Sequence, residues 1–499
     1  MPPPRRSADV GGTAQLVARN VLFLVVSQLV TAALSLVVAA VLARHLGAAD
    51  YGILYVATAW VGMAFILIEL GQNDYLVRTL ARDRQRAGEL LGTALVVRLA
   101  AWAVVLVPLW WVARFLYAAA DTRRAIALMA VLQLLLSIGN SFAAAARGFE
   151  RADHQTLAQV STQLLVSLAV FVAVWRGGGI LRIIGSEIVA AVVAAAVSAA
   201  VVRTLGVTGL TVSGAAARQM IHGGAPFALW SVVLAIHANV DPIMLSKLGS
   251  AEAVGWYGVA MKFLGFLIFP STVLAAALFP TLSRLFVYDP PMYVQFVRAA
   301  MKPTLVIAAP AALGTYLFAH EAVALVYGAD AFAPAASNLR IMSPFVFIVF
   351  VDVTLGTAII AANRQTWWAG VKAACVLLGI GLNLLLIPWT QARFGNGGLG
   401  ASVATVASEA GMVAAALVLI PRGVLNRSVL RDVGRVAGAG AAMTAVALLL
   451  RWLGPEIAMA ASTVAYTLIL FALGGVSRGD LILLRDTVLL RAGRPDEAR

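Results

Sequence analysis

Residues 20–43 read NVLFLVVSQLVTAALSLVVAAVLA, a run of 24 residues without a charged side chain. A hydrophobic run of about 20 residues is long enough to cross the hydrocarbon core of a bilayer as one α-helix. The run ends at Arg44, and the loop sequence LGAADYG (46–52) separates it from the next apolar run. This arrangement predicts a membrane-spanning helix, a short connection and a second span.

The same pattern recurs along all 499 residues and predicts about fourteen transmembrane helices. The chain is 61% hydrophobic and only 12% charged, whereas a soluble domain carries about twice that charged fraction. We therefore predict an all-α polytopic membrane protein without a folded soluble domain. The predicted spans are residues 20–43, 52–70, 90–113, 125–146, 156–175, 182–202, 225–246, 255–280, 303–322, 341–362, 367–387, 399–420, 433–453 and 457–475.

The basic residues are distributed unevenly between the two sides of the predicted bundle. If the N-terminus is cytoplasmic, the cytoplasmic segments carry 24 of the 37 Lys and Arg residues, and the outer segments carry 10. Cytoplasmic loops of membrane proteins are enriched in basic residues, so the bias predicts that both termini are cytoplasmic. These loop residues also explain the net charge of +14, because they can meet anionic lipid headgroups. We therefore expect no nucleic-acid partner.

The composition also limits the chemistry of the protein. Cys375 is the single cysteine, which excludes an intramolecular disulfide and a cysteine-based metal site. No segment matches GxxxxGK[ST], which argues against ATP-driven transport by this chain alone. We expect no catalytic residue, no metal site and no cofactor, and coupling to H⁺ or Na⁺ is left open.

An internal repeat predicts how the helices are grouped. LARHLGAADYG (42–52) recurs as LSKLGSAEAVGWYG (245–258), which places Tyr51 and Tyr257 206 residues apart, and the pair Ser186-Glu187 has a counterpart in Ser408-Glu409. The spacing near 200 residues predicts two six-helix lobes in the same orientation, followed by two further helices. The predicted organisation is a disordered cytoplasmic N-terminus (1–19), an N-terminal lobe (20–205), an inter-lobe linker (206–224), a C-terminal lobe (225–421), helices 13 and 14 (422–477) and a cytoplasmic tail (478–499).

Several of these segments resemble the O-antigen and exopolysaccharide flippases of the multidrug/oligosaccharidyl-lipid/polysaccharide exporter superfamily. The resemblance rests on LGAADYG, on NVDPIMLSKLGSAEAVGWYGVAMK (239–262) and on GLNLLLIPWTQARFGNGGLGASVATVASE (381–409), and it covers essentially the whole chain. It implies a 14-helix, two-lobed, alternating-access transporter in a bacterial inner membrane. The implied cargo is an isoprenoid-diphosphate-linked oligosaccharide, flipped to the outer leaflet for cell-surface polysaccharide biosynthesis. Polysaccharide polymerase or ligase partners are usual for that family, although no residue here indicates one.

Three other functions stay open from the sequence. A cation-coupled multidrug exporter of the same superfamily would have a dominant acidic pocket and fewer cations in the cavity. A peptidoglycan-precursor (lipid II) flippase also has fourteen helices, but the quoted loops are less similar to that branch. A membrane glycosyltransferase is disfavoured because no loop is long enough to fold.

Three cations lie inside predicted spans and are candidates for binding a diphosphate. A charge inside a membrane is costly and therefore marks a functional candidate, and Arg and Lys bind phosphate oxygens. The alternative is that each side chain reaches the membrane interface or pairs with an acid on a neighbouring helix. The substrate-binding candidates are Arg98, Lys262 and Lys372.

Buried acidic groups and one histidine are candidates for ion coupling. His237 and Asp241 are four residues apart and therefore share a helix face, where such a pair could bind and release a proton. We favour the simpler interpretation, in which Asp241 braces the outer end of its helix and His237 bonds to a neighbour. The full set of ion-coupling candidates is His237, Asp241, Asp352, Glu187 and Glu409.

Overall fold

The computed structural model describes residues 8–69, 71–207 and 209–475, with side chains from Gln28 onward except in 224–230. Within these residues all regular structure is helical, so the predicted all-α class is confirmed. An α-helix satisfies its backbone hydrogen bonds internally, which the hydrocarbon core of a bilayer requires because it offers no water as a partner. The helices are α1 (Ala8–Glu69), α2 (Gln72–Leu80), α3 (Ala87–Leu116), α4 (Ala120–Gly148), α5 (Ala152–Trp175), α6 (Ile180–Arg203), α7 (Gly214–Leu248), α8 (Ala251–Tyr288), α9 (Pro290–Leu317), α10 (Ala319–Tyr327), α11 (Ala329–Phe332), α12 (Ala335–Ile341), α13 (Ser343–Ala361), α14 (Gln365–Phe394), α15 (Gly398–Leu419), α16 (Arg427–Leu449) and α17 (Pro455–Ala472).

The described helices account for the predicted number of spans. Twelve helical segments are long and apolar enough to cross a membrane, and the first of them, Gln28–Glu69, has 42 residues. That segment forms two spans because α1 breaks at Gly47, whose φ of 74° lies in the left-handed region that glycine tolerates. Helix α7, part of which lies outside the described side chains, contains the predicted span 225–246. Together these helices supply fourteen spanning segments.

Three regions differ from the expectation drawn from the sequence. Helix α1 begins at Ala8, so the structure has helix in part of the segment predicted to be disordered. Residues 319–341, predicted partly as the end of a span and partly as a loop, form the short helices α10, α11 and α12. The predicted tail 478–499 lies outside the described residues.

The predicted linker 206–224 is largely ordered against α3. The Thr211 amide donates to Gly88 O at 3.3 Å, and the Ser213 amide donates to Thr93 Oγ1 at 3.1 Å. A β-carbon on Gly88 would lie 2.0 Å from Gly209 O, so this close approach requires glycine. Helix α7 then begins at Gly214, eleven residues earlier than the predicted span, and its first turns bury Ala216 and Met220 against helices of the N-terminal half.

The spanning helices form two packed groups. In the N-terminal group α1 packs on α4 and α5, α4 packs on α6, and α3 packs on α4. In the C-terminal group α13 packs on α8, α9 and α15, and α14 packs on α7 and α15. Helices α16 and α17 pack on each other, and α16 also lies on α9.

The two groups meet most closely where α1 crosses α8. A β-carbon on Gly52 would lie 2.1 Å from Ala251 O, and a β-carbon on Gly255 would lie 2.0 Å from Ala48 O. These contacts are reciprocal and join residues just after the Gly47 break to the first turns of α8. Small residues permit such close crossing of membrane helices. The crossing pairs Gly52 with Gly255, whereas the sequence comparison had equated Tyr51 with Tyr257.

Further contacts between the groups lie at the same end of the bundle, which is predicted to face outside and is called the outer end below. Lys247 donates to Leu116 O and lies 3.4 Å above the Tyr117 ring, and Tyr117 Oη is 2.6 Å from Ser246 Oγ. Arg44 donates to two carbonyls at the end of α10, one of them Val326 O at 3.0 Å. The α1–α8 crossing and these flanking bonds together form the outer closure.

Candidate functional site

A cluster of ionisable side chains lies inside the C-terminal group, at the level of the membrane-spanning helices. It brings together four of the five predicted ion-coupling residues and one predicted substrate-binding cation. The members come from α7, α13, α14 and α15, so no single span contains the cluster. They are His237, Asp241, Asp352, Lys372 and Glu409.

Asp241 on α7 is the best-coordinated acid of the cluster. Its Oδ1 accepts a hydrogen bond from Asn383 Nδ2 at 2.7 Å. Its Oδ2 accepts one from Thr405 Oγ1 at 2.8 Å and one from Tyr257 Oη at 3.2 Å. The carboxylate thus joins α7 to α8, α14 and α15. This geometry differs from the favoured interpretation of Asp241 as a brace at the outer end of its own helix.

His237 does not pair with Asp241, although the two share a helix. Its Nε2 lies 3.5 Å from Glu409 Oε2 on α15. The His237 side chain is about a quarter exposed, whereas the Glu409 side chain is 4% exposed. A histidine between a buried acid and an accessible surface can carry a proton between them.

Lys372 and Asp352 form a buried ion pair. Lys372 Nζ donates to Asp352 Oδ2 at 3.0 Å and lies 3.2 Å from Met412 Sδ. Both residues are nearly inaccessible. The alternative interpretation of Lys372, pairing with an acid on a neighbouring helix, therefore describes its position. The structure gives it no exposed surface for contacting a substrate.

Three oxygens of this region accept no hydrogen bond from the described residues. They are Asp352 Oδ1, Asn383 Oδ1 and Glu409 Oε2, and all three are buried. Buried polar atoms normally have partners, so such atoms point to a ligand or a second protonation state. Among the described residues no group of three or more His, Cys, Asp and Glu side chains is arranged to hold a metal ion. The donor set instead suits a proton or a monovalent cation bound by oxygen atoms.

Lys262 is the one predicted substrate-binding cation that is exposed. It lies on α8, seven residues after Gly255, so the two share the helix face that α8 turns toward α1. The contacts of the outer closure lie nearer the start of α8, at Ala251 and Gly255. Gly265, one turn beyond Lys262, is also exposed, and no atom lies within 4 Å of its β-carbon position. Lys262 is therefore an exposed cation on the side of α8 that faces α1, beyond the contacts of the outer closure.

Arg98 lies elsewhere, in the interior of the N-terminal group. It is fully buried, and its guanidinium donates to Ser137 O and Ser141 Oγ on α4 and to Asn73 Oδ1 at 3.1 Å on α2. Asn73 also donates to Glu69, the last residue of α1. These contacts tie α2, α3 and α4 together. The structure offers Arg98 no exposed surface from which to contact a substrate.

Glu187 is separated from the other ion-coupling candidates. It is buried on α6, which packs against α4 and α5 in the N-terminal group. The internal repeat made Glu187 and Glu409 equivalent positions of the two lobes, but only Glu409 belongs to the cluster. Sequence reasoning also missed Asn383, Thr405 and Tyr257. A buried amide in the apolar span 367–387 was a usable signal for Asn383, whereas Thr and Tyr are too common in membrane helices to be singled out.

Comparison with known proteins identifies the family. The sequence profile of the polysaccharide biosynthesis protein family matches residues 17–286, which is more than half of the chain. The chain belongs to the polysaccharide biosynthesis protein family. This membership confirms the resemblance noted from the sequence. The matched region includes Lys262 and both segments of the internal repeat, 42–52 and 245–258.

Similar proteins agree with this membership. The chain is 23% identical over 405 residues to a probable low-salt glycan biosynthesis flippase of Haloferax volcanii. The aligned region covers 79% of this chain and 81% of that protein. The fold of the chain is similar to that of the lipid II flippase MurJ in an inward closed conformation (TM-score 0.71, 12% identity, 92% of this chain and 99% of the other). It is also similar to an inward-facing multidrug resistance MATE family transporter (TM-score 0.63, 14% identity, 78% and 94%). The fold is therefore that of multi-span membrane transporters.

Proposed function

We propose that this protein flips an isoprenoid-diphosphate-linked oligosaccharide from the cytoplasmic to the outer leaflet of a bacterial inner membrane. The observation that carries the proposal is the exposed residue Lys262, eleven residues after the start of α8 and on the helix face that α8 turns toward α1. A cation at this depth is costly unless it faces water or an anion. A diphosphate that enters between the groups would meet this charge below the outer closure.

An apolar groove supports a lipid-linked cargo. It lies between α9, α13 and α16, has a volume of about 510 Å³, and is lined almost entirely by carbon atoms. An isoprenoid chain needs a dry surface of this kind, while the diphosphate needs the cation. The lining includes Leu305, Phe347, Val436 and Gly440.

The buried cluster supports coupling to H⁺ or Na⁺. With His237 neutral and the carboxyl groups ionised, its three acids outnumber the single cation Lys372. An excess negative charge in a buried site is expensive unless a cation or a proton neutralises it. Asp241, Thr405 and Asn383 supply the oxygen atoms for such an ion, and His237 provides a route to Glu409 for a proton.

The test exchanges Lys262 in a host from which the gene has been deleted. We expect Lys262→Ala to abolish surface glycan while the lipid-linked precursor accumulates in the inner leaflet, and Lys262→Arg to restore export. Arg124→Ala, which removes an exposed cation at the outer end, is the matched control and should export normally. Normal glycan from Lys262→Ala, at equal protein abundance in the membrane, would remove the assignment.

A cation-coupled multidrug exporter is the second candidate, and the acid-rich cluster favours it. The sequence argument expected such an exporter to have a dominant acidic pocket, and Asp241, Asp352 and Glu409 form one. The deletion strain separates the two functions. Loss of one surface glycan supports the flippase, whereas unchanged glycans with new sensitivity to cationic drugs support the exporter.

A further inference from the structure

One turn of α8 touches both the outer closure and the Asp241 site. Gly255 packs against Ala48 O of α1, and a β-carbon on Gly258 would lie 2.8 Å from the Tyr55 ring of α1. Tyr257 lies between these glycines in sequence. Successive residues of an α-helix are rotated by about 100°, so Tyr257 points away from the face that carries Gly255. Its ring is 1% exposed and its hydroxyl reaches Asp241.

The Tyr257 hydroxyl is sensitive to what Asp241 binds. It donates to Asp241 Oδ2 at 3.2 Å and lies 3.1 Å from Thr405 Oγ1, which donates to the same oxygen. An ionised carboxylate is purely an acceptor, but a protonated one must also donate, and a metal cation occupies oxygen lone pairs. Either event makes Asp241 a weaker acceptor and so weakens the hydrogen bond from the phenol, and a proton on Oδ2 itself would compete with the phenol for this position.

The crossing of α1 and α8 leaves little freedom to absorb a change at Tyr257. The two helices cross so closely that a β-carbon on either Gly52 or Gly255 would collide with the backbone of the other helix. Packed helices respond to small local shifts by moving between discrete arrangements. A change in the hydrogen bond of Tyr257 therefore acts on the same helical turn that closes the outer end.

We propose that Tyr257 is a positioning residue that links ion occupancy at Asp241 to opening of the outer closure. The proposal rests on the ion coupling of the proposed function and extends it by naming the connection to the gate. Asp241 is faced by titratable groups from α1 and α8, by His237 on its own helix α7, and by neutral partners from α14 and α15. These groups are Tyr55, Tyr257, His237, with Glu409 beyond it, Asn383 and Thr405.

The experiment measures access to the surface below the closure from the outside. Cys375, the single native cysteine, is changed to Ser, and Gly265→Cys provides a reporter at an exposed position with open space around it. Intact cells are treated with a membrane-impermeant thiol reagent over a series of external pH values, with and without sodium. Surface glycan is quantified in the same cells.

We expect the labelling rate of the reporter protein to change by about fivefold or more with pH or sodium, which is the usual size of coupling between two sites. Tyr257→Phe should leave the protein folded and remove this dependence, because it keeps the ring and deletes the hydrogen bond. The matched control is Tyr327→Phe, since Tyr327 is also buried but its hydroxyl has no partner among the described residues. Gly255→Ala should raise labelling at every pH and ion concentration.

The possible outcomes distinguish failure of the Tyr257 link from failure of the ion coupling on which it rests. A Tyr257→Phe protein that responds like its parent would overturn the link while leaving ion coupling in place. A parent that responds to neither protons nor sodium would overturn both. Loss of the response in Tyr327→Phe, or unchanged labelling in Gly255→Ala, would also overturn the link, because the effect would then not depend on Asp241 or on the crossing.

Discussion

The two helix groups bury charged side chains in contrasting ways. In the N-terminal group Arg98 has hydrogen bonds to a carbonyl, a hydroxyl and an amide oxygen, and no ion pair with an acid is recorded for it within the described residues. These hydrogen bonds from Nη1 and Nη2 hold the helices around Arg98 together, although its Nε has no hydrogen-bond partner among the described residues. In the buried cluster of the C-terminal group three acids face the single lysine Lys372. Asp352 Oδ1 and Glu409 Oε2 accept no hydrogen bond from the described residues, and His237 Nε2 lies 3.5 Å from the latter. A cluster with unsatisfied acceptors can exist in more than one protonation or ligation state, which is what a coupled transporter requires.

Burial alone therefore does not identify a functional charge in this protein. Arg98 is the more deeply buried cation, yet its hydrogen bonds all go to neighbouring helices of its own group. Lys262 is exposed, and nothing in its own helix neutralises it. The contrast indicates that exposure on the α8 face turned toward α1 distinguishes Lys262 from the enclosed cation Arg98.

Asp241→Asn should have the largest effect on transport. The amide keeps the size of the side chain but cannot carry the charge that draws Asn383, Thr405 and Tyr257 together. We expect surface glycan to fall to the level of the deletion strain. Glu187→Gln is the comparison variant, because Glu187 is a buried acid of the N-terminal group with no hydrogen bond to another described residue, and it should export much more than Asp241→Asn. Equal losses in both variants would contradict the distinction between the groups.

Removing one member of the Lys372–Asp352 pair should destabilise the protein. Leaving a buried charge without its partner costs about 3–5 kcal/mol. We expect Lys372→Met to lower the amount of folded protein in the membrane, measured by detergent extraction and thermal unfolding, and Lys372→Met/Asp352→Leu to restore it. If the double variant is stable but does not export glycan, the pair has a role in transport. If it is stable and exports normally, the role is structural.

Arg98→Lys should have a smaller effect, which falls on stability. Lysine keeps the charge but cannot reproduce the planar fork that contacts Ser137, Ser141 and Asn73 together. One lost buried hydrogen bond of this kind costs about 1–3 kcal/mol. The measurement is the unfolding temperature of the purified protein beside glycan output per folded molecule. If the unfolding temperature of Arg98→Lys is normal but its glycan output per folded molecule is reduced, Arg98 would again be a candidate for substrate binding.

The sequence predicted the fold because membrane insertion imposes long apolar runs, and those runs are visible without any tertiary information. The cluster was only partly predictable. His237, Asp241, Asp352 and Glu409 were visible as ionisable groups in apolar spans, but their pairing depends on how helices far apart in sequence pack. Asp241 and Asn383, for example, are separated by 142 residues.

Hydropathy also could not tell which face of a helix a charge occupies. Arg98, Lys262 and Lys372 were equivalent in the sequence because each interrupts an apolar run. In the structure one is enclosed by its own helix group, one is exposed between the groups, and one is held in an ion pair. The short helices α10–α12 were missed because segments of four to nine residues carry too little periodicity to distinguish them from a loop.

Helix α7 has a mechanical consequence for any transport cycle. Its first turns, with Ala216 and Met220, are anchored to the N-terminal group, while its second half carries Asp241 into the C-terminal group. A change in the angle between the groups must therefore bend this helix or pull its first turns away from α3. The elastic strain of such a change in angle would be stored in α7, the helix that carries the candidate ion ligand Asp241. The bending stiffness of the helix and its affinity for an ion would then depend on the same element.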